Sequence, residues 1–179
     1  MVDNGKKIQT ITFLDGREPL KIEAETIKEA VEKAVKNGVS LDGASLNGAS
    51  LDGASLDGAS LKWASLNGAS LDEASLNGAS LGNAIFSHHS ISSAKRDGRI
   101  IRKVLTIGPL GSVGRMTNLL IYTDSSVEIV CGCFSGDLAA FRAKVRETHG
   151  ESRFAAEYLA LADFFEKMAK VYAEEKVEK

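Results

Sequence analysis

The sequence predicts a mainly β protein with α+β ends, in which a repetitive middle third separates two unrelated flanking segments. Leucine recurs at every fifth position from Leu41 to Leu81, with alanine two places before it in all but the first unit. Both flanks lose that period and show strand alternation and helical spacing instead. At 179 residues, with 44% hydrophobic and 26% charged residues, the chain has the composition of an ordinary globular protein.

The repeat unit is Ala-Ser-Leu-Asp/Asn-Gly. On an α-helix five residues advance a side chain by about 500°, so the leucines would spiral round the whole surface. On a strand an odd period throws alternate leucines onto opposite faces. A disordered Gly/Ser linker has no reason to carry an aliphatic residue at a strict interval. Eleven units can be counted, starting at residues 39, 44 and so on to 89. The last three drift: Leu81 is followed by Gly82-Asn83, Phe86 takes the central place, and Ile91 holds it last. His89 would fall at an inward small-residue place, so the repeat is expected to end or deform there.

This pattern resembles the pentapeptide-repeat family. The resemblance implies a short right-handed quadrilateral β-helix over residues 39–93, with one unit per side, four per coil, and leucine and alanine pointing inward. Eleven units then make just under three coils, a stub about 13 Å tall at strand spacing. If residue n lies above residue n−20, Asp42 lies under Lys62 and Asp52 under Asp72, the second a repulsive step. Trp63 falls in the outward column Gly43-Trp63-Asn83. Its ring either lies over neighbouring backbone or forms a contact with another subunit, a terminal domain or a ligand.

The open ends of such a coil need covers. Residues 7–13 alternate as a strand, Asp15-Gly16 signals a turn, and 19–25 read as the returning strand. Residues 26–37 then read as a helix with Ile27, Ala30, Val31 and Ala34 on one face and Gly38 ending it. The chain therefore divides into an N-terminal hairpin–helix cap (1–38), the repeat domain (39–94) and a C-terminal α+β domain (95–179). In the last, three strands are expected at 100–107, 118–123 and 127–134, followed by a helix to His149 and a long helix capped by Ser152. On that long helix Phe154, Tyr158, Leu161, Phe165, Met168 and Tyr172 follow heptad spacing, with Ala160, Phe164 and Val171 as a second strip. One strip can pack on the sheet while the other lacks a cover, which points to a homo-oligomer assembled through the heptad row. The stretch from Ile107-Gly108-Pro109 to Gly132-Cys133-Phe134, with Phe141, Thr148-His149-Gly150 and Tyr158, resembles phage and prophage pentapeptide-repeat proteins over roughly 104–165, and so implies a phage origin.

The chemistry is sparse. Gly108, Gly111 and Gly114 in GPLGSVGRM lack the Lys-Ser/Thr and helix start of a phosphate loop, and read as a strand connection. Cys131 and Cys133 read as buried strand cysteines, and metal ligation or a Cys–His pair would need His88, His89 or His149. No catalytic residue, cofactor or metal is expected. The basic run Lys95, Arg96, Arg99, Arg102 and Lys103, against Asp97 alone, carries net +4, while residues 39–94 carry net −4. It reads as a solvated strand, an intramolecular complement to the acidic coils, or a nucleotide or nucleic-acid contact, so Lys62, Trp63, Arg99, Arg102 and Lys103 form the candidate interaction surface.

A formal net charge of −2 argues against DNA as a partner. The first ten residues lack an apolar core and no run approaches transmembrane length, so the chain is expected to be cytoplasmic, in the host cell if phage-encoded. The predicted function is non-enzymatic binding or scaffolding of an unidentified host or phage protein, with the β-helix as spacer or display surface. The alternative is an anti-defence or inhibitory protein that binds a nucleotide or a host DNA-processing enzyme. Family members that imitate a DNA rod at type II topoisomerases are longer and more acidic than this repeat.

Overall fold

The computed structural model describes residues 7–86, 91, 93–111 and 113–174. The expectations for His88 and His89 lie outside those residues. Among the described residues the chain is a mixed α/β protein with two five-stranded sheets and three helices.

At the N-terminus β1 (Ile8–Phe13) and β2 (Leu20–Glu23) form an antiparallel hairpin, and α1 (Ile27–Lys36) follows. Thr26 caps α1 by accepting from the Glu29 N–H at 3.1 Å, while the Glu29 carboxylate accepts from the Glu25 N–H at 2.8 Å. This is a capping box displaced by one residue. Ala30, Val31 and Ala34 are buried, as the spacing predicts.

The helix also closes the lower rim of the coil. Glu32 accepts from the Ser55 N–H at 2.9 Å and Lys28 donates to the Asp52 carbonyl at 2.8 Å, two backbone groups with no coil beneath them. On another side, β1 pairs antiparallel with β3 (Ala44–Ser45) and so supplies the missing strand edge.

The repeat coils with a period of twenty residues. β3, β4 (Ser65–Leu66) and β5 (Ile85–Phe86) pair in parallel through Ser45, Ser65 and Ile85. Parallel bridges Ser50↔Ser70, Ser55↔Ser75 and Ser60↔Ser80 mark the other three sides. Leu41, Leu46, Leu51, Leu56 and Leu61 each donate a backbone N–H to the serine carbonyl nineteen residues on, at 2.8–2.9 Å. Four units therefore make one coil, and every leucine from Leu41 to Leu81 is buried with the alanines between them.

The polar positions form a second ladder. Asp42 accepts from the Ser60 hydroxyl at 2.6 Å and from the Lys62 N–H at 2.9 Å. Asn47 does the same with Ser65 and Asn67, Asp52 with Ser70 and Asp72, and Asp57 with Ser75 and Asn77. The Asp52–Asp72 step, expected to be repulsive, is thus a carboxylate-to-amide hydrogen bond between coils. The Ser75 hydroxyl, set against slight burial, holds the Asp57 carboxyl below its usual range.

The coil continues past residue 94. Ala94-Lys95-Arg96-Asp97-Gly98 is a twelfth unit in register: Ala94 is buried, Lys95 bridges Ser75, and Arg96 takes the central place two coils above Leu56 and one above Leu76. β6 (Lys95–Arg96) then turns at Asp97-Gly98, both at positive φ, into β7 (Arg99–Leu110). This is the Asp-Gly hairpin signature.

Three strands are predicted in the C-terminal sheet, and it has five, in the order β10-β9-β8-β7-β6. β8 (Arg115–Tyr122) begins three residues before the strand expected at 118–123, β9 (Val127–Cys131) covers the first five residues of the one expected at 127–134, and β6 is borrowed from the coil. The predicted strand 127–134 breaks at Gly132-Cys133, where Gly132 at φ 60° starts a two-residue turn into β10 (Phe134–Gly136). One face of the sheet, with Ile101, Val104, Leu120, Tyr122 and Val130, belongs to the same core as the coil leucines. The other face, with Leu105, Leu119, Ile121, Ile129 and Cys131, packs under α2 (Leu138–His149) and α3 (Arg153–Glu174). Alternation along the strands serves both layers.

Contact with the sheet also explains the drift at residues 82–83. A Cβ on Gly82 would lie 1.9 Å from the Gly132 carbonyl oxygen, so the Asp/Asn of the repeat has no room there. Asn83, in the glycine place, is buried and accepts from the Met116 N–H at 3.1 Å.

Candidate functional site

Arg96 and Glu128 join the coil to the sheet. Arg96 sits where leucine would be, so its guanidinium rises from the top of the apolar column. It donates to the Ala79 carbonyl at 2.7 Å and to Glu128 at 3.1 Å. Glu128, on the coil-facing side of β9, also accepts from Arg99 at 3.1 Å and from the hydroxyls of Tyr122 and Ser135. Burial pushes the Glu128 carboxyl up, but the bonds from Arg96, Ser135 and Tyr122 outweigh it and hold the pKa below the usual carboxylate value. Burial first, and the bond to Glu128 second, raise the Tyr122 phenol well above its ordinary range.

A cavity of about 270 Å³ lies on the opposite side of the sheet, under the two helices. α2 forms because Asp137 caps it, accepting from the Ala140 N–H at 2.8 Å, and because Phe141 and Val145 bury one face. α3 brings Tyr158 against the loop after β7, where Gly111 leaves space for its ring: a Cβ there would meet the Tyr158 side chain. The walls are a chain of rings. Phe134 lies 5.5 Å from Phe141, Phe141 meets Tyr158 edge-on at 6.1 Å, and His149 stacks on Tyr158 at 5.5 Å. Val113 and Val145 add aliphatic surface, and Arg115, Lys144, Cys131 and Cys133 add the polar groups.

The turn at Gly132 separates the two cysteines that are predicted to be buried strand neighbours. Cys131 is buried and accepts from the Thr117 hydroxyl at 3.2 Å, whereas Cys133 is exposed in the turn. Burial pushes the Cys131 thiol up, despite Thr117 and the Arg115 charge, which leaves it a poor nucleophile at neutral pH. His149 does come to the same cavity, but among the described residues no three His, Cys, Asp or Glu side chains are placed to hold a metal ion.

The candidate interaction residues do not form one patch. Arg99 is spent on Glu128 and on the Tyr122 ring, 3.8 Å away. Arg102 donates to the Tyr172 carbonyl and the Lys103 ammonium lies 4.1 Å from the Tyr172 ring, so both tie β7 to α3. Lys62 and Trp63 are on the coil, where Trp63 is 48% exposed and holds φ 61° at a corner that most units give to glycine. On α3, Tyr158, Leu161 and Phe165 are buried against the chain's own sheet, with Met168 and Tyr172 packed beside them and Phe154 half-buried near His149. Phe164 and Val171 of the second strip stay 42% and 49% exposed.

The twenty-residue ladder with inward leucines is decisive when set beside a family comparison: residues 37–72 and 64–87 match the family described as pentapeptide repeats, in 8 copies. The chain carries pentapeptide repeats. The pentapeptide-repeat match stops before the twelfth unit, where arginine replaces the central leucine. No curated protein and no solved structure matches the chain. Among the described residues no helix is long and apolar enough to cross a membrane.

Proposed function

We propose that this pentapeptide-repeat protein is a non-enzymatic binding and scaffold protein, with the β-helix as a rigid display element and the C-terminal domain as the assembly module. The observation that carries this reading is the continuity of one core from α1 through the coil leucines to Tyr122 and Val130. Such a core, covered by α1 below and by the sheet above, holds surface residues at fixed separations. Trp63 supports the display role, because an exposed indole held in the left-handed region is a strained choice where glycine would serve.

Assembly is assigned to the α3 strip with Phe164 and Val171, and its occupant to a second copy of the chain. The heptad row is covered within the protomer, so the leftover strip is the surface that gains from pairing. Light scattering at tens of micromolar tests this. The full chain is expected to form an oligomer, and Phe164→Glu with Val171→Lys is expected to be monomeric with an unchanged melting temperature. A monomeric parent protein would overturn assembly and leave a monomeric binder.

A further inference from the structure

We infer that the cavity under α2 and α3 is a binding site for a small organic acid, an apolar body of about aromatic-ring size bearing one carboxylate. The cavity is a half-open cleft lined by the rings of Phe134, Phe141, Tyr158 and His149, which favour a flat apolar body. Its volume of about 270 Å³ is at the small end for ligand pockets. Arg115 supplies the charge recognition. It lines the cavity, its guanidinium lies directly over the Gly132 backbone, and among the described residues no carboxylate lies within ion-pair distance of it. A planar cation beside aromatic walls, with no acidic partner among the described residues, is matched by a carboxylate, which it can bind through two parallel hydrogen bonds. Lys144 at the same cavity adds a second positive charge, although it is shared with Glu147 at 3.0 Å. Gly132 turns the chain at φ 60°, and the Arg115 guanidinium lies in the space that a side chain at 132 would enter.

Calorimetry on the full chain with 3-phenylpropionate, 3-phenylpropanol and 3-phenylpropylamine tests the inference. Cys133, exposed and lining the cavity, reports location through its rate of alkylation by iodoacetamide, while Cys131 is buried. The acid is expected to bind roughly ten- to a hundredfold more tightly than the alcohol, the range for a charge-assisted hydrogen bond, and the amine more weakly still. Saturating acid is expected to slow Cys133 alkylation. Arg115→Gln is expected to reduce acid affinity to that of the alcohol, with Arg115→Lys intermediate. Equal affinity for acid and alcohol, no binding of any probe, or binding that leaves Cys133 alkylation unchanged would each overturn the inference. If Arg115→Gln does not fold, the comparison of acid with alcohol on the unaltered chain still decides.

Discussion

Arg96 and Glu128 lie 32 positions apart in the chain, yet they form one buried ion pair at 3.1 Å, each residue only 5% exposed, at the junction of coil and sheet. The pair satisfies the top of the leucine column with a charge and answers that charge from the next layer. Its geometry makes the two partners unequal. Glu128 accepts from Arg96, Arg99, Tyr122 and Ser135, whereas Arg96 retains the carbonyls of Leu76 and Ala79 if Glu128 is lost.

Glu128→Ala is therefore expected to be the costlier change, at about 3–5 kcal/mol, because it leaves a buried guanidinium with only the half-exposed Asp97 carboxylate, 3.9 Å away, as counter-charge. Arg96→Leu restores the repeat's central residue and leaves Glu128 with Arg99 and two hydroxyls, so it is expected to cost less. Urea denaturation of both variants checks the order. The reverse order would mean that Arg99 cannot hold Glu128 alone.

Acid sensitivity follows from the same carboxylate. Its folded pKa is depressed below the reference value of 4.5, so its contribution to stability is fully present above about pH 4.5 and is lost as pH falls through the folded value. Stability is expected to be flat from pH 7 to 5 and to drop below 4.5. In Glu128→Gln that drop is expected to be shallower, though Asp57, whose carboxyl is also depressed, keeps part of it. Denaturant melts at pH 7 and pH 3.5 measure the difference. An equal drop in parent and variant would remove Glu128 from the acid response.

Much of this architecture can be read from spacing alone. The five-residue recurrence of leucine excludes helix and strand and the resemblance to pentapeptide repeats supplies the coil, while the N-terminal cap is legible from Thr26, Asp15-Gly16 and one apolar helix face. The serines and Asp/Asn residues are conspicuous in the sequence, but their role needs the stacking phase: only at n+18 and n+20 do hydroxyl and amide meet the side chain below. Arg96 escapes notice because a charge stands where the pattern asks for leucine, although Ala94, Asp97 and Gly98 keep the unit's frame. Cys133 reads as a strand residue until Gly132 is seen to turn the chain. The cavity draws on α2, α3, β8, β9, β10 and two loops, so no local pattern could have assembled it.

Restoring the repeat at Gly82 is expected to harm the protein. Gly82→Asp conforms to the unit, yet its Cβ would strike the Gly132 carbonyl, which is backbone and cannot swing away. A loss of about 1–3 kcal/mol is expected, the usual penalty for overpacking. Asp72→Gly, at the equivalent place one unit pair earlier, provides the contrast of a coil position away from the sheet. A melting temperature for Gly82→Asp at or above the parent's would show that coil and sheet do not meet there.

Trp63→Gly gives the opposite expectation. Glycine accepts φ 61° freely, so relief of about 1–2 kcal/mol of strain is offset by about 0.5–1 kcal/mol of unfolded-chain entropy. The variant is expected to be as stable as the parent or slightly more so. If Trp63 serves display, the same variant loses partner capture while keeping its melting temperature, a combination that a structural tryptophan would not produce. A marked fall in melting temperature would return the indole to a packing role.

Coil number is expected to be adjustable only in whole turns. The ladders join n to n+19 and n+20 on all four sides, so removing residues 50–69 places Ser70 and Ser75 where Ser50 and Ser55 were. Asp72 and Ser75 then present to α1 the backbone groups that Asp52 and Ser55 now offer to Lys28 and Glu32. At the top, Arg96 still meets Glu128, because everything above the excision moves down together by one strand spacing of about 4.8 Å. Removing only ten residues keeps the pentapeptide frame but rotates the upper cap by half a coil relative to the lower one. Phe86 and Ile91 would then stand over different sides from those the hairpin and α1 close. The twenty-residue deletion is expected to fold cooperatively with reduced stability, since a coil of buried leucines is lost, and the ten-residue deletion to lose its sharp thermal transition. Circular dichroism melts of the two variants distinguish them, and equal cooperativity in both would rule out four units per coil.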